Sequence, residues 1–504
     1  EPAVHESVRS FKDLTRLAKQ LSAHPYHPAE PAPAELSQLS YDQYIKIRFR
    51  DEQGIWKEDE SPFWLQSYHQ GFVQRDRVEL FVLDRSKSSV QQIPFSIDDF
   101  EFGDLELKHE EAGHAGLKIL GRFPGRSDAG EILSFLGASY FRACHADGVY
   151  GASARGLAID IAMNKDEEFP RFRAFWIEKP TKHQQELKVL GLLDSPSVAG
   201  AYAFRIVPLA NKTIVDVKCE LHFRRQPGKL AFAPLTSMWM WGDGLSPPKL
   251  DARPSVHDSD GLLIQQNDHW RWRPLARQSY PSVSSIPVQN LRGFGLIQRD
   301  REAKSFRDSN ALYHKRPSLW VTPKNGPSED SLHSNNQWQD GRIELLELPG
   351  AHEGIDSIGA YFVPNKMPEA GESRALQYTI EFFAGDPSAH EELAKLVDLR
   401  VQHRADSIEL ELDFETPSDP EQLSELQIRS SAVRGTITAQ RLSPVESGVR
   451  LSATITPHEE APVELDFRLE DNGKAITETV AYLLPHREPE FVYPAVYTRQ
   501  EESP

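Results

Sequence analysis

The sequence predicts an all-β protein, and three observations predict it. Apolar and polar residues alternate with period two in one stretch after another, the 36 prolines and 30 glycines are spread along the chain rather than pooled, and helical spacing occurs in only two short segments. The clearest alternation is Thr213–Phe223, where Val215, Val217, Cys219, Leu221 and Phe223 share one face and Asp216, Lys218, Glu220 and His222 the other. A strand buried on one face has this pattern. Val78–Leu83, Leu157–Ala162 and Ala201–Val207 fit the same reading, as does the apolar and charged alternation of Tyr44-Ile45-Lys46-Ile47-Arg48-Phe49. The exception near the start is Ser7–Leu21, whose Val8, Phe11, Leu14, Leu17, Ala18 and Leu21 recur at helical spacing. Pro25, Pro28, Pro31 and Pro33 then force an extended connection.

At 504 residues the chain exceeds the size at which one hydrophobic core stops growing, so two domains are expected. Helical spacing returns around His390–Val397, just after the breaker Gly385-Asp386-Pro387. This divides the chain into a first domain over 1–384, a linker with a short helix over 385–399 and a second domain over 400–504. In the last of these, the alternating runs Ile408–Phe414, Val449–Ile455 and Val463–Leu469 fit an immunoglobulin-like sandwich without its Cys and Trp hallmarks. No repeat of fixed period is present.

Composition removes several classes. With 57 basic against 75 acidic residues the formal net charge is -18, which argues against nucleic acid or an anionic membrane as the main partner. No apolar run approaches the roughly 20 residues needed to cross a bilayer. The chain begins at Glu1 without Met or an apolar leader, as a processed or trimmed chain would. Two cysteines, Cys144 and Cys219, exclude a disulfide framework and a cysteine-based zinc site. A single bridge stays open, although Cys219 on an apolar strand face favours buried free thiols. A Gly-rich phosphate loop, His-Glu-x-x-His, Cys-x-x-Cys and Gly-x-Ser-x-Gly are all missing, so neither a cofactor nor zinc chemistry is expected.

The densest polar chemistry lies in Val256-His257-Asp258-Ser259-Asp260-Gly261-Leu262 and the following His269-Trp270-Arg271-Trp272-Arg273-Pro274. Paired carboxylates beside flat rings and guanidinium groups suit a sugar site, where aromatic faces pack on the pyranose and charged groups bond its hydroxyls. Taken alone, Asp258-Ser259-Asp260-Gly261 reads first as a surface turn, since Asp, Ser and Gly are turn formers. His257, Asp258 and Asp260 supply too few oxygen ligands for a hard cation, so no metal is expected. Trp239 with Trp241, and Trp270 with Trp272, each put two rings on one strand face, either as a core layer or as a sugar platform.

Several longer motifs carry a family likeness. Phe135–Ala143, Tyr150–Asp160, Pro234–Met238, His257–Leu262, Trp272–Leu275, Gly293–Arg301 and Arg316–Val321 are similar, in order and over about residues 7 to 382, to the periplasmic glucan biosynthesis proteins of the OpgG and OpgD (MdoG and MdoD) type. The resemblance implies a large N-terminal β-sandwich of the galactose-mutarotase-like supersandwich kind followed by an immunoglobulin-like β-sandwich. It implies residence in the periplasm and work on osmoregulated glucans with a β-1,2-linked backbone. It also implies an inverting endo-β-1,2-glucanase, a transglycosylase that branches or cyclises the glucan, or a glucan-holding accessory of an inner-membrane glucosyltransferase. The partners so implied are β-1,2-glucan and that transferase, with a homodimer left open.

The family's general base matches the first Asp of His-Asp-Ser-Asp-Gly-Leu, hence Asp258. Its general acid lies in a segment matched here by His352-Glu353-Gly354-Ile355-Asp356-Ser357-Ile358, hence Asp356. An inverting glycosidase holds its acid and base about 6.5–9.5 Å apart, or farther where water relays the proton. Residues 98 positions apart meet only through the fold. The acid needs a raised pKa, for which Ile355 and Ile358 are the expected apolar company. Asp260 and His257 shape the network around the base, and Tyr140, Arg142, Arg155, Tyr313 and Trp320 are assigned to substrate by side-chain type. The chain departs from the family in a polar insertion over Gly326–Gln337, between Lys324 and Asp356, and in the neighbours of the acid.

Overall fold

The computed structural model describes residues 5–59, 61–107, 111–324, 337–350, 352–390, 392–415, 423 and 425–491. The chain is an all-β sandwich protein, and it divides into two compact units that interleave in sequence. One unit takes residues 1–234, 321–342 and 361–383, and the other takes 235–320, 343–360 and 384–504. Most of the insertion expected at Gly326–Gln337, namely 326–336, falls outside the described residues.

The first unit is built on a ladder that runs Ser89–Gln92, Glu79–Asp84, Arg171–Glu178, Leu187–Asp194, Val198–Pro208, Lys212–Phe223 and Ser373–Phe383. All of its pairs are antiparallel except Glu79–Asp84 with Arg171–Glu178. The period-two pattern of Lys212–Phe223 is borne out, with Val215, Val217, Cys219, Leu221 and Phe223 all buried. A second ladder joins Phe63–His69, His114–Arg122, Ala129–Leu136, Tyr140–Ala143 and Ser153–Arg155. Aromatic rings fill the space between the ladders. Phe135 of the second lies 4.6 Å from Phe175 and 5.0 Å from Phe204 of the first, and Tyr202 donates its hydroxyl to the carbonyl of Gly156 at 3.0 Å.

The N-terminal helix forms at Phe11–Ser22, and the Ser10 side chain caps it by accepting from the Asp13 amide. Leu14, Leu17 and Ala18 sit against Phe81, Leu83 and Trp176 on the outer face of the first ladder. Removing the cap with Ser10→Ala would cost the helix about 1 kcal/mol. The strand expected at Tyr44–Phe49 shrinks to Arg48–Phe49, because Tyr41–Tyr44 folds as a helical turn under a reciprocal Ser40 and Gln43 capping box. Cys144 and Cys219 are buried free thiols.

In the second unit, Gly261–Gln266 forms a hairpin with His269–Pro274 and pairs on its other edge with Leu291–Ile297. His269–Pro274 runs parallel to Thr479–Leu484, which continues to Val463–Asp471 and Gln427–Val433. A separate antiparallel ladder orders Lys395–His403, Ile408–Glu415, Gly448–Pro457 and Gly435–Val445. The three C-terminal strands expected from alternation are all present, and Leu410, Leu412, Phe414, Leu451, Ile455, Leu465 and Phe467 are buried.

The helix expected at His390–Val397 is a correction. Lys395–His403 is strand. The Ala394 amide donates to the carbonyl of Ile476 at 2.9 Å and the Leu396 amide to Glu478 at 2.9 Å, so the donors a helix would use are taken by a neighbouring segment. Tertiary pairing has overridden a weak helical pattern. Glu478, fully buried, also receives both guanidinium nitrogens of Arg299, at 2.7 and 2.8 Å. Among the described residues, no helix is long and apolar enough to cross a membrane.

Candidate functional site

Four consecutive residues, Thr236 to Trp239, hold the segments that carry Asp258 and Asp356. The Thr236 hydroxyl donates to Oδ2 of Asp356 at 3.1 Å. Ser237 Oγ lies 2.8 Å from Ser259 Oγ, the Met238 carbonyl accepts from the Asp258 amide at 2.8 Å, and the Trp239 amide donates to Ser357 Oγ at 3.3 Å. Trp239–Trp241 pairs with Val256–His257 as a short antiparallel ribbon, which puts Asp258 at the ribbon's end. The surface-turn reading of Asp258-Ser259-Asp260-Gly261 is corrected: Asp258 is 4 % exposed, and the amides of Asp258 and Asp260 pair with the distant carbonyls of Met238 and Ile297 rather than closing a turn.

Asp258 meets a full positive charge. Nη1 of Arg316 donates to its Oδ1 at 2.6 Å, and the Arg316 guanidinium lies 4.6 Å from the centre of the Tyr313 ring. The Tyr313 hydroxyl in turn donates to Oε2 of Glu353 at 2.9 Å. Burial pushes that phenol well above its ordinary range, and the Glu353 carboxylate adds to the push. Arg253 reaches the same Glu353 oxygen at 2.7 Å while it also holds Asp308 at 2.9 Å and Asp251. The bond to Arg253 draws Asp251 below the usual carboxylate range. Asp356 is half-buried. Of its expected apolar company, Ile358 is buried and Ile355 turns outward at 47 % exposure.

Asp260 holds backbone rather than facing open space. Its Oδ2 accepts from the amides of Arg299 and Asp300, the latter at 3.0 Å, so it fastens the end of Leu291–Ile297 to the hairpin. Burial lifts its carboxyl above the ordinary range against the opposing pull of His257. His257 is buried between Asp260, 3.5 Å from its Nε2, and Gln298, 2.9 Å from its Nδ1. Among the described residues no group of side chains could hold a metal ion.

The tryptophan pairs resolve as core. Trp239, Trp241, Trp270 and Trp272 are each at most 7 % exposed. Trp320 is 5 % exposed, stacked on Trp270 with centroids 5.6 Å apart, and offers little surface to a ligand. Gly261 and Gly293 make room for these rings. A Cβ on Gly261 would meet the Trp272 ring at 2.5 Å, and one on Gly293 the Trp320 ring at 2.3 Å.

Tyr140, Arg142 and Arg155 belong to the first unit and form a cluster of their own there. Tyr140 and Arg155 are partners across neighbouring strands. The buried Arg155 guanidinium lies 4.9 Å from the ring centres of both Tyr140 and Phe169 and donates to Glu167 at 2.7 Å. Arg142 is exposed and donates to Ser153 at 2.6 Å. Sequence reasoning passed over Arg316, Thr236, Glu353 and Arg253. Arg316 and Thr236 stood inside quoted motifs, and Glu353 stood beside the predicted acid. Nothing local marks Arg253.

Fold and site together define an all-β sandwich protein with a carboxylate-centred polar site. The family described as periplasmic glucan biosynthesis protein, MdoG, matches residues 10–484, and the chain belongs to it. Membership gives the chain a periplasmic role in glucan biosynthesis. Two solved structures show distant similarity. The Slr1438 protein from Synechocystis sp. PCC 6803 is 10% identical with a TM-score of 0.25, over 50% of this chain and 91% of that one. A polysaccharide lyase, BACCELL_00875, is 10% identical with a TM-score of 0.21, over 74% of this chain and 44% of that one.

Proposed function

We propose that the protein cleaves β-1,2-glucan with inversion, Asp356 protonating the leaving oxygen and Asp258 activating water. The observation that carries this reading is the Thr236–Trp239 segment, which ties the segments of both carboxylates to one short stretch of backbone. Their surroundings differ. Asp258 faces the Arg316 guanidinium, which keeps it ionised and able to orient water, and Asp356 is oriented by the Thr236 hydroxyl. Two carboxyl groups in unlike environments are the basis of acid and base work in glycoside hydrolysis. Glu353 would border the sugar, with the buried Tyr313 orienting its carboxylate from beneath, while Asp260 and His257 hold the base's loop. In the first unit, Tyr140 and the exposed Arg142 are sugar contacts by residue type.

The test is incubation of the wild type and the Asp356→Asn form with linear β-1,2-glucan, following product size by chromatography and anomer by NMR. Shorter chains released in the inverted anomer by the wild type alone are expected. Larger or non-reducing products would assign the chain to transglycosylation. Glucan that stays unchanged yet co-elutes with both forms would make the protein a glucan-holding accessory and overturn the enzyme reading.

A further inference from the structure

The second unit carries a cleft of about 700 Å³ along the strand Ser282–Gln289, and neither Asp258 nor Asp356 lines it. Apolar side chains stand open to water there. Tyr280 is 46 % exposed, Val283 41 % and Val433 53 %. Exposed apolar groups gathered in one concavity mark a binding surface.

The charges of the cleft are already matched. Arg271 pairs with Asp466 at 2.5 Å, Arg434 with Glu464 at 2.9 Å, and Arg273 with the buried Glu347 at 2.7 Å. A phosphate or polyanion would therefore meet Glu464 and Asp466 beside Arg434 and Arg271, and would find Arg273 already taken by Glu347 beneath the cleft. Half-exposed planar ion pairs and the Ser282 and Ser285 hydroxyls leave donors and acceptors for a neutral polyol, and the Tyr280 ring offers a face for its C–H groups. The volume lies in the range of sites that enclose a small ligand. An added polypeptide strand is disfavoured, because the exposed Pro287 breaks the row of N–H donors it would need.

We infer that this cleft is a second saccharide site, which grips a neutral glucan chain at a point other than the carboxylate pair. The identity of the sugar rests on the function proposed above, whereas the chemistry of the cleft does not. A long chain held here gains effective concentration at any second point of contact, and a chain too short to span both gains none.

The test uses the full chain as Asp356→Asn, so that the probe survives, with a long linear β-1,2-glucan and a short β-1,2-oligosaccharide. Affinity by titration and hydrogen exchange over 280–287 are the readouts. Tyr280→Ala should weaken binding of the long glucan about tenfold. It should leave the short probe unchanged and abolish glucan-induced protection of 280–287. Tyr280→Phe, which keeps the ring, should bind as the parent does. Long-glucan affinity that is equal in Tyr280→Ala, or protection confined to 236–258 and 352–357, overturns the site. A concentration-dependent dimer that Tyr280→Ala dissolves would give the cleft to a second copy of the chain and also overturns it. Tyr280-dependent retention by a protein that never cleaves glucan would sink the carboxylate reading and leave this one standing.

Discussion

Nη1 of Arg316 lies 2.6 Å from Oδ1 of Asp258, and the two side chains are 20% and 5% exposed. A pair this enclosed behaves asymmetrically. Losing one partner strands a buried charge, whereas losing both charges together does not. Arg316→Met should therefore lower unfolding free energy by about 3–5 kcal/mol. The double form Arg316→Met with Asp258→Asn should recover much of that loss, and urea unfolding of the four proteins in the cycle measures it. If the single and double forms unfold at the same midpoint, the pair does not hold the loop.

Thr236→Val keeps the shape of the side chain and removes the donor to Asp356. The carboxyl then loses an orienting contact while the backbone bonds from Met238 and Trp239 remain. If Asp356 is the acid, kcat on linear β-1,2-glucan should fall about tenfold, the equivalent of one hydrogen bond of about 1.4 kcal/mol. The thermal midpoint should move little. A Thr236→Ser form, which restores the hydroxyl, should return most of the rate. Equal rates in Thr236→Val and wild type would separate Asp356 from the chemistry.

What was legible in the sequence followed from short-range periodicity. Lys212–Phe223 and Gly448–Pro457 alternate because one face is buried, and a period of two needs no knowledge of the partner strand. His390–Val397 failed for the converse reason. Its amides are claimed by Ile476 and Glu478, some 80 residues later, and no local pattern records that claim. The tryptophans were ambiguous because alternation says that two rings share a face but not whether the face is covered. At the site, Asp258 stood out by the polar and aromatic residues around it, but its role as base, and Asp356 altogether, came from motif likeness. The segment that joins them, Thr236–Trp239, was visible as a motif but not as a bridge, since its hydrogen bonds run to residues about 20 and 120 positions away.

Gly293→Ala tests whether the Trp270 and Trp320 layer is rigid. The new Cβ would sit 2.3 Å from Cζ2 of Trp320, a ring stacked on Trp270 and fixed within the core. Rings cannot flex away as a lysine tip does, so the strand or the stack must shift. A loss of about 1–3 kcal/mol is expected, as for other overpacked cores. Thermal unfolding gives the size of the loss, and a changed tryptophan emission spectrum would locate it. An unchanged melt would mean that the layer yields.

His390 supplies a pH dependence of known sign. Its side chain is fully buried, with Nε2 3.2 Å from Oε2 of Glu478 and its ring 4.5 Å from that of Trp270. Burial lowers its pKa from 6.5 to about 4 in spite of the nearby carboxylate. In the unfolded chain the same imidazole takes its proton near 6.5. Between these values the unfolded state binds the extra proton, so stability is fully present above about pH 6.5 and is lost as pH falls towards 4. The contribution is about 3 kcal/mol at most. His114 and His222 are lowered to about 4 as well and slope the same way, so the wild-type curve alone does not isolate His390. His390→Gln does, because glutamine does not titrate. Urea midpoints of both proteins from pH 4 to pH 7 should lie closest at the neutral end and part at the acid end, where the wild type falls faster and the shallower line belongs to the variant. Parallel lines would mean that the imidazole binds its proton alike in both states, and a wild type that gains on the variant towards acid would mean that His390 is charged in the folded protein and paired with Glu478 as a true salt bridge.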